Sequence, residues 1–314
     1  MNVTFEESVC RERQGEIVDL LREFDIVELR AGCRIAFLPG GACNENYLVA
    51  GIGGSRFVLR LAGLEVDRFN WDRKKGADAH RSAAAAGVAP ELVAIRLPEG
   101  HSVARWVDGP ILTPDRIRDP GMLEAVGETL RKLHDGPWIE GTWSVFDDIR
   151  GYTATAYSEQ LELPDDYDEL LRRVGAVKTV FEAVDAPDGM CHNDLQLQNF
   201  IIGGDRLWVL DFEFAGRGNR YFDLGNTAVN AELSDEELRP FLGRYFGRID
   251  SIEMARTKLM MFMAAFREAV WAVLAAPVLT LDWDYVAWAA EYFRRSRVWS
   301  DGKAFEQTLM AARG

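Results

Sequence analysis

Cys191-His-Asn-Asp-Leu-Gln-Leu-Gln-Asn-Phe-Ile-Ile, residues 191–202, is followed closely by Leu207-Trp-Val-Leu-Asp-Phe-Glu, residues 207–213. Two short apolar runs, Phe200 to Ile202 and Leu207 to Leu210, flank Gly203-Gly204-Asp205, the composition of a tight turn between antiparallel strands. Such a hairpin predicts that Asp194 and Asn199 at one end meet Asp211 at the other. A carboxylate able to take a proton from a hydroxyl, beside two further oxygen donors suited to Mg2+, is the set that phosphoryl transfer from ATP requires. Asp194, Asn199 and Asp211 together are residue types of that set, Asn199 and Asp211 able to supply hard oxygen donors, although Asp and Asn in loops also serve as turn caps.

Outward from this hairpin the texture is asymmetric. Residues 6–24 read as a helix with Ile17, Leu20, Leu21 and Phe24 on one face. Strand candidates follow at Arg34 to Leu38, Asn46 to Val49 and Phe57 to Leu61, then a helix from Asp72 to Ala86 stopped by Gly87, then two strands within 92–107. Beyond Pro110 the pattern is helical at 121–134, 166–184, 235–246, 252–274 and 284–295, interrupted only by the strand-rich island 190–214. The layout predicts an α+β, bilobal fold: a small β-rich N-terminal lobe over 1–107 and a larger helical lobe over 108–314, joined near Val107 to Pro110.

The segments HNDLQLQN and LWVLDFEFAGRGNRYFDLGN resemble the catalytic and metal-binding segments of the choline/ethanolamine kinase family, within the aminoglycoside phosphotransferase-like superfamily, and so imply a bilobal protein-kinase-like fold. The resemblance runs from about Phe37 to Phe293 and is concentrated in 191–226. It implies an ATP- and Mg2+-dependent kinase with Asp194 as base, Asn199 and Asp211 on the metal, and His192 and Asp223 as braces of the catalytic loop. Gln196 is then placed to touch the acceptor hydroxyl, and Glu213 to touch the metal or its water shell.

The N-terminal part fits the same expectation. In Leu38-Pro-Gly-Gly-Ala-Cys-Asn-Glu-Asn-Tyr, the backbone at Gly40 and Gly41 could approach phosphates closely, with Asn44 alongside, although glycine pairs between strands are also ordinary turns. The resemblance implies Arg60 as the cation holding the α- and β-phosphates, and Trp106 and Val107 as the adenine-side hinge. Two positions depart from the family pattern. Asp72-Arg-Lys-Lys-Gly places Gly76 where a helix glutamate usually pairs with the strand cation, with Asp78 rotated well away on the helix, which leaves Arg60 either without that partner or borrowing another acid such as Glu65 or Asp67. Asn230 stands where choline kinases often carry an acid near the cationic head group, so either another acid such as Glu268 or Asp282 takes that role or the acceptor is not choline.

For the acceptor, Arg267-Glu-Ala-Val-Trp and Leu281-Asp-Trp-Asp-Tyr-Val-Ala-Trp bring Glu268 together with Trp271 and Trp288, suited to a cationic amine by cation–π and charge attraction. Their helical spacing equally suits core packing. The first candidates are choline and ethanolamine; the alternatives are an aminoglycoside, for which the acid-rich stretch 159–169 could line a wide cleft, and a nucleotide-binding pseudokinase.

The net charge of −14 opposes nucleic-acid binding, which needs clustered Lys and Arg, and is compatible with a cationic small-molecule partner. Cys10, Cys33, Cys43 and Cys191 form no C-x-x-C pair and read as reduced thiols. No apolar run approaches the length of a membrane span and no basic-then-apolar leader opens the chain, so a cytoplasmic location is expected.

Overall fold

The computed structural model describes residues 1–39, 44–63, 69, 72–184, 188–279 and 283–314. Gly40 and Gly41, like Glu65, Asp67 and Asp282, lie outside the described residues.

The N-terminal part begins with β1 (Val3–Phe5) and α1 (Arg11–Phe24), then β2 (Cys33–Leu38), β3 (Glu45–Gly51) and β4 (Arg56–Leu61). Helix α2 (Arg73–Ala85) and the hairpin β5 (Leu92–Arg96) and β6 (His101–Arg105) complete it. The six strands form one sheet in the order β1-β2-β3-β4-β6-β5, antiparallel except for the parallel pair β1 and β2. The helix expected from residue 6 starts five residues later, because the chain before it pairs with β2 and Glu6 N–H donates to Ile35 O at 2.9 Å.

Two-residue alternation gives this sheet two different faces. Tyr47, Val49, Phe57, Leu59, Leu61 and Val103 point to one side and pack against Ile17, Leu20 and Leu21 of α1. Asn46, Val58, Arg60, Ser102 and Ala104 point to the other side and line a cleft. One register thus buries a core and aims Arg60 at the site.

The helical part contains α3 (Met122–His134), α4 (Val145–Ser158), α5 (Tyr167–Ala183), β7 (Asp188–Cys191), β8 (Phe200–Gly203), β9 (Arg206–Val209) and β10 (Gly216–Asn219). It ends with α6 (Arg220–Asn230), α7 (Asp235–Phe246), α8 (Ser251–Ala275), α9 (Tyr285–Trp299) and α10 (Gly302–Ala311). Helix α8 is buried all round from Leu259 to Ala272, as expected of a helix at the centre of a bundle. Capping boxes at Ser234/Glu237 and Asp250/Glu253 set the starts of α7 and α8. The expected hairpin is present, with Phe200 opposite Val209 and Ile202 opposite Leu207. Helices α4 and α10 and the pairing of β10 with β7 are additions to the sequence-based layout. No helix among the described residues is long and apolar enough to cross a membrane.

Candidate active site

The segment after β7 turns through Asn193, whose φ of 65° lies in the left-handed region that asparagine tolerates. Its amide N–H donates to Asp223 Oδ1 at 2.7 Å, and that of His192 donates to Asp223 Oδ2 at 2.7 Å. His134 Nε2 also reaches Asp223, at 2.9 Å, so Asp223 sits fully buried as an anchor among three donors. His134, Cys191 and Asp223 bring metal-ligand atoms together, but all are engaged internally: His134 Nδ1 with Tyr245 Oη at 2.6 Å, and Cys191 Sγ donating to Gly218 O at 3.3 Å.

His192 Nδ1 accepts from the Asp194 N–H at 3.2 Å, which leaves the ring proton on Nε2 for Leu210 O at 2.8 Å. Burial depresses its pKa and keeps the ring neutral. His192 thus ties Asp194 to the strand end just before Asp211. Asn199 Nδ2 donates to Asp194 O at 3.0 Å, and Leu210 N–H donates to Asn199 O at 2.8 Å. Asp194, Asn199 and Asp211 therefore line one cleft of about 460 Å³ between the sheet and the helices.

Asp211 has φ 69°, a sparsely populated conformation for a residue with a Cβ, held here beside a charged partner. Arg60 Nη1 lies 2.9 Å from Asp211 Oδ1 and 3.3 Å from Glu213 Oε1. Burial alone would raise the Asp211 pKa, but the Arg60 guanidinium outweighs it and the carboxyl titrates below its usual range. Glu213 is instead pushed up by burial and by Asp211, against the pull of Arg60 and Arg73.

Glu213 is a junction. Arg73 Nη1 is in direct contact with Glu213 Oε1, and Asn44 Nδ2 donates to it at 3.2 Å. Asn44 Oδ1 accepts from Gly63 N–H at 3.1 Å, so both ends of that amide hold protein groups. Arg60 pairs with Asp211 and Glu213 because alternation along β4 aims it at the strand end carrying those acids; Glu65 and Asp67, the partners expected for it, lie outside the described residues. Asp78, rotated away as expected, pairs with Lys74 at 2.7 Å and Arg81 at 3.2 Å.

At the opposite end, α8 presents Arg267 and Glu268, both buried. Arg267 Nη1 lies 3.6 Å from Asp194 Oδ1 and 3.6 Å from Glu268 Oε2, Nε lies 3.4 Å from Asp148 Oδ2, and the guanidinium carbon sits 4.1 Å from the Phe214 ring centroid. Burial, then Glu268, lift the Asp194 pKa well above the usual carboxylate range, with Arg267 opposing them. Glu268 is also raised by burial and receives the Trp288 indole N–H at 2.9 Å. Trp271, Trp283 and Trp288 line this end of the cleft, Trp283 and Trp288 with ring centroids 5.3 Å apart.

Asn230, at the position without the expected acid, donates from Nδ2 to Leu195 O at 3.1 Å and accepts the Tyr292 hydroxyl proton at 2.7 Å. Gln196 lies 3.2 Å from the same hydroxyl. Trp106 and Val107 line the cleft at the lobe junction, with Trp106 Nε1 donating to Asp108 Oδ1 at 2.9 Å. None of residues 159–169 lines the cleft: Asp166 pairs with Arg297 and Asp168 receives the Tyr157 hydroxyl on the exterior. The wide acidic cleft considered for an aminoglycoside is not formed by that stretch.

Sequence analysis left Arg73, Asp148 and Arg267 without roles. An arginine inside the apolar α8 pattern is the one local signal that could have marked Arg267, since a charge there needs buried partners.

The sequence pattern of the phosphotransferase enzyme family matches residues 34–259, most of the chain. The chain belongs to that family. Among its curated relatives, Protein LicA of Haemophilus influenzae is 27% identical over 204 residues, covering 63% of this chain and 58% of LicA. Ethanolamine kinase 2 of Mus musculus is 26% identical over 217 residues, 60% of this chain and 56% of the mouse protein. The chain thus spans somewhat over half the length of these two relatives. The chain also superposes on the crystal structure of a choline/ethanolamine kinase family protein from Mesorhizobium loti with a TM-score of 0.80, at 25% identity, covering 95% of this chain and 99% of that one. A spectinomycin phosphotransferase shares the fold more distantly, with a TM-score of 0.59 at 13% identity.

Proposed function

We propose that this phosphotransferase is an ATP-dependent kinase that phosphorylates the hydroxyl of a small amino alcohol, with choline and ethanolamine as first candidates. The observation that carries the proposal is the cleft itself. Asp194, Asn199 and Asp211 converge at its middle, Arg60, Trp106 and Val107 line one end, and Glu268, Trp271 and Trp288 line the other.

Asp194 takes the proton of the acceptor hydroxyl as its oxygen bonds to the γ-phosphorus and the bond to ADP breaks. Its side chain stays aimed because Arg267 holds the carboxylate and His192 and Asn199 hold the backbone. Arg60 offers a planar fork to the phosphates. The cleft suits Mg2+ by donor chemistry: Asp211 is kept ionised by Arg60, and the Asn199 Oδ1 has no hydrogen-bond partner among the described residues. When bound there, Mg2+ neutralises phosphate charge. Glu268 gives a cationic amine its counter-charge, and the Trp271 and Trp288 rings wall the position. An enclosed cleft without the acid-rich stretch 159–169 favours a small acceptor over an aminoglycoside.

The test is ADP release from ATP and Mg2+ across choline, ethanolamine, other amino alcohols, aminoglycosides and simple sugars, with Asp194→Ala as control. Asp194-dependent turnover on the amino alcohols supports the proposal. Turnover on sugars or aminoglycosides alone, or none on any acceptor, overturns it.

A further inference from the structure

The position of the usual helix glutamate is glycine here for a packing reason. A Cβ built on Gly76 would stand 3.0 Å from Phe212 O and 3.5 Å from Glu213 Cα, so α2 lies directly on the Asp-Phe-Glu backbone. A small cavity of about 50 Å³, lined by Arg60, Arg73, Gly76, His80, Ser102 and Glu213 among others, remains beside it. Any side chain at 76 would begin in closer contact with that carbonyl than an ordinary Cβ makes.

Beside that contact, α2 and the Asp-Phe-Glu segment are joined by charge as well. Helix α2 contributes a cation, Arg73, from its first turn, and the Asp-Phe-Glu segment contributes the acid, Glu213. Arg73 is buried, and besides Glu213 its Nη2 donates to Gly63 O at 2.9 Å. A cation at a helix N-terminus opposes the helix dipole, so its placement calls for a carboxylate close by, and Glu213 supplies one. The same Glu213 Oε1 lies 3.3 Å from Arg60 Nη1, which bonds Asp211 at 2.9 Å. A continuous chain of charges runs from Arg73 through Glu213 and Arg60 to Asp211.

We propose that Arg73 is a positioning residue for the nucleotide end of the site: acting through Glu213, it sets the Arg60 guanidinium and the Asp211 carboxylate. The inference rests on the kinase function proposed above and adds a residue to that site. Arg73 itself need touch neither nucleotide nor acceptor. Its effect falls on nucleotide affinity and leaves the proton transfer at Asp194 intact.

The experiment measures KM for ATP and kcat separately, together with equilibrium binding of a fluorescent ATP analogue with Mg2+. The variants are Arg73→Ala, Arg73→Lys, Glu213→Gln and the double variant Arg73→Ala/Glu213→Gln. Arg73→Ala is expected to raise KM for ATP and weaken the analogue by on the order of tenfold, the scale of a lost charged hydrogen bond, with a smaller change in kcat. Arg73→Lys restores part of this, returning the charge without the fork. The double variant binds no more weakly than Glu213→Gln alone, because Arg73 acts through Glu213. In an active wild type, unchanged affinity in Arg73→Ala, or losses that multiply in the double variant, overturns the inference while leaving the kinase proposal standing. Should Arg73→Ala not fold, Arg73→Lys against Glu213→Gln carries the same comparison, and wild-type affinity in Arg73→Lys/Glu213→Gln overturns it. A wild type that neither binds nor turns over ATP fails the kinase proposal first, and this inference with it.

Discussion

Arg267 Nη1 lies 3.6 Å from Asp194 Oδ1, and the arginine side chain is only 1% exposed. A guanidinium so deep in an apolar helix is tolerable only because Asp148, Asp194 and Glu268 surround it. Replacing it with methionine leaves three buried acids without their common counter-charge. Arg267→Met is expected to lose about 3–5 kcal/mol of stability, and Arg267→Lys less, read from chemical denaturation midpoints.

Asp194→Ala tests the base directly. The expected loss in kcat is about 10²–10⁴-fold, with KM for ATP nearly unchanged, since the proton transfer is made only in the transition state. An equal rise in KM for ATP would mean that Asp194 holds nucleotide instead.

The raised pKa of Asp194 sets a pH dependence for activity. A base works ionised, so kcat/KM falls as pH drops through that raised value. Glu268 is the second cause of the rise after burial, so Glu268→Gln should move the acid limb to lower pH. A pH–rate profile of both proteins checks this.

Stability carries the opposite sign. The folded state holds the Asp194 proton more tightly than the unfolded chain, so stability is lost as pH rises from the ordinary aspartate range through the raised pKa. Asp194→Asn is expected to melt at a higher temperature than wild type at neutral pH, and to match it more closely in acid.

Trp288 donates its indole N–H to Glu268. Trp288→Phe keeps the ring and removes the donor, and is expected to raise KM for the acceptor by about tenfold with kcat changed less. Steady-state kinetics at saturating ATP reads it.

Gly76→Ala places a methyl 3.0 Å from a backbone carbonyl that cannot yield as a side chain could. The gain in helix propensity is about 1 kcal/mol, and overpacking costs about 1–3 kcal/mol, so a net loss in thermal stability is expected.

The catalytic hairpin was legible because everything it needs is local. Gly203-Gly204-Asp205 closes it, the apolar runs on either side pair, and Asn199 and Asp211 follow from strand ends ten to twelve residues apart. Most helices were legible for the same reason, since 3.6-residue periodicity and caps such as Ser234 and Asp250 lie within one segment. Helix α4 was not: Gly151 and the β-branched Val145, Ile149, Thr153 and Thr155 weaken its local signal, and burial of Ile149, Tyr152 and Ala156 in the core favours the helix instead. Strand β1 is three residues long and exists through its pairing with β2.

By itself, then, the sequence determined most of the elements and singled out Asp194, Asn199 and Asp211 as a set, because periodicity, turns and motif spacing are short-range properties. Tertiary structure decided which charges meet. Arg60 joins Asp211 across 151 positions, Arg73 joins Glu213 across 140, and Arg267 reaches back 119 positions to Asp148. No local pattern encodes such partners, since an ion pair depends on where separate elements pack and on how far water is excluded between them.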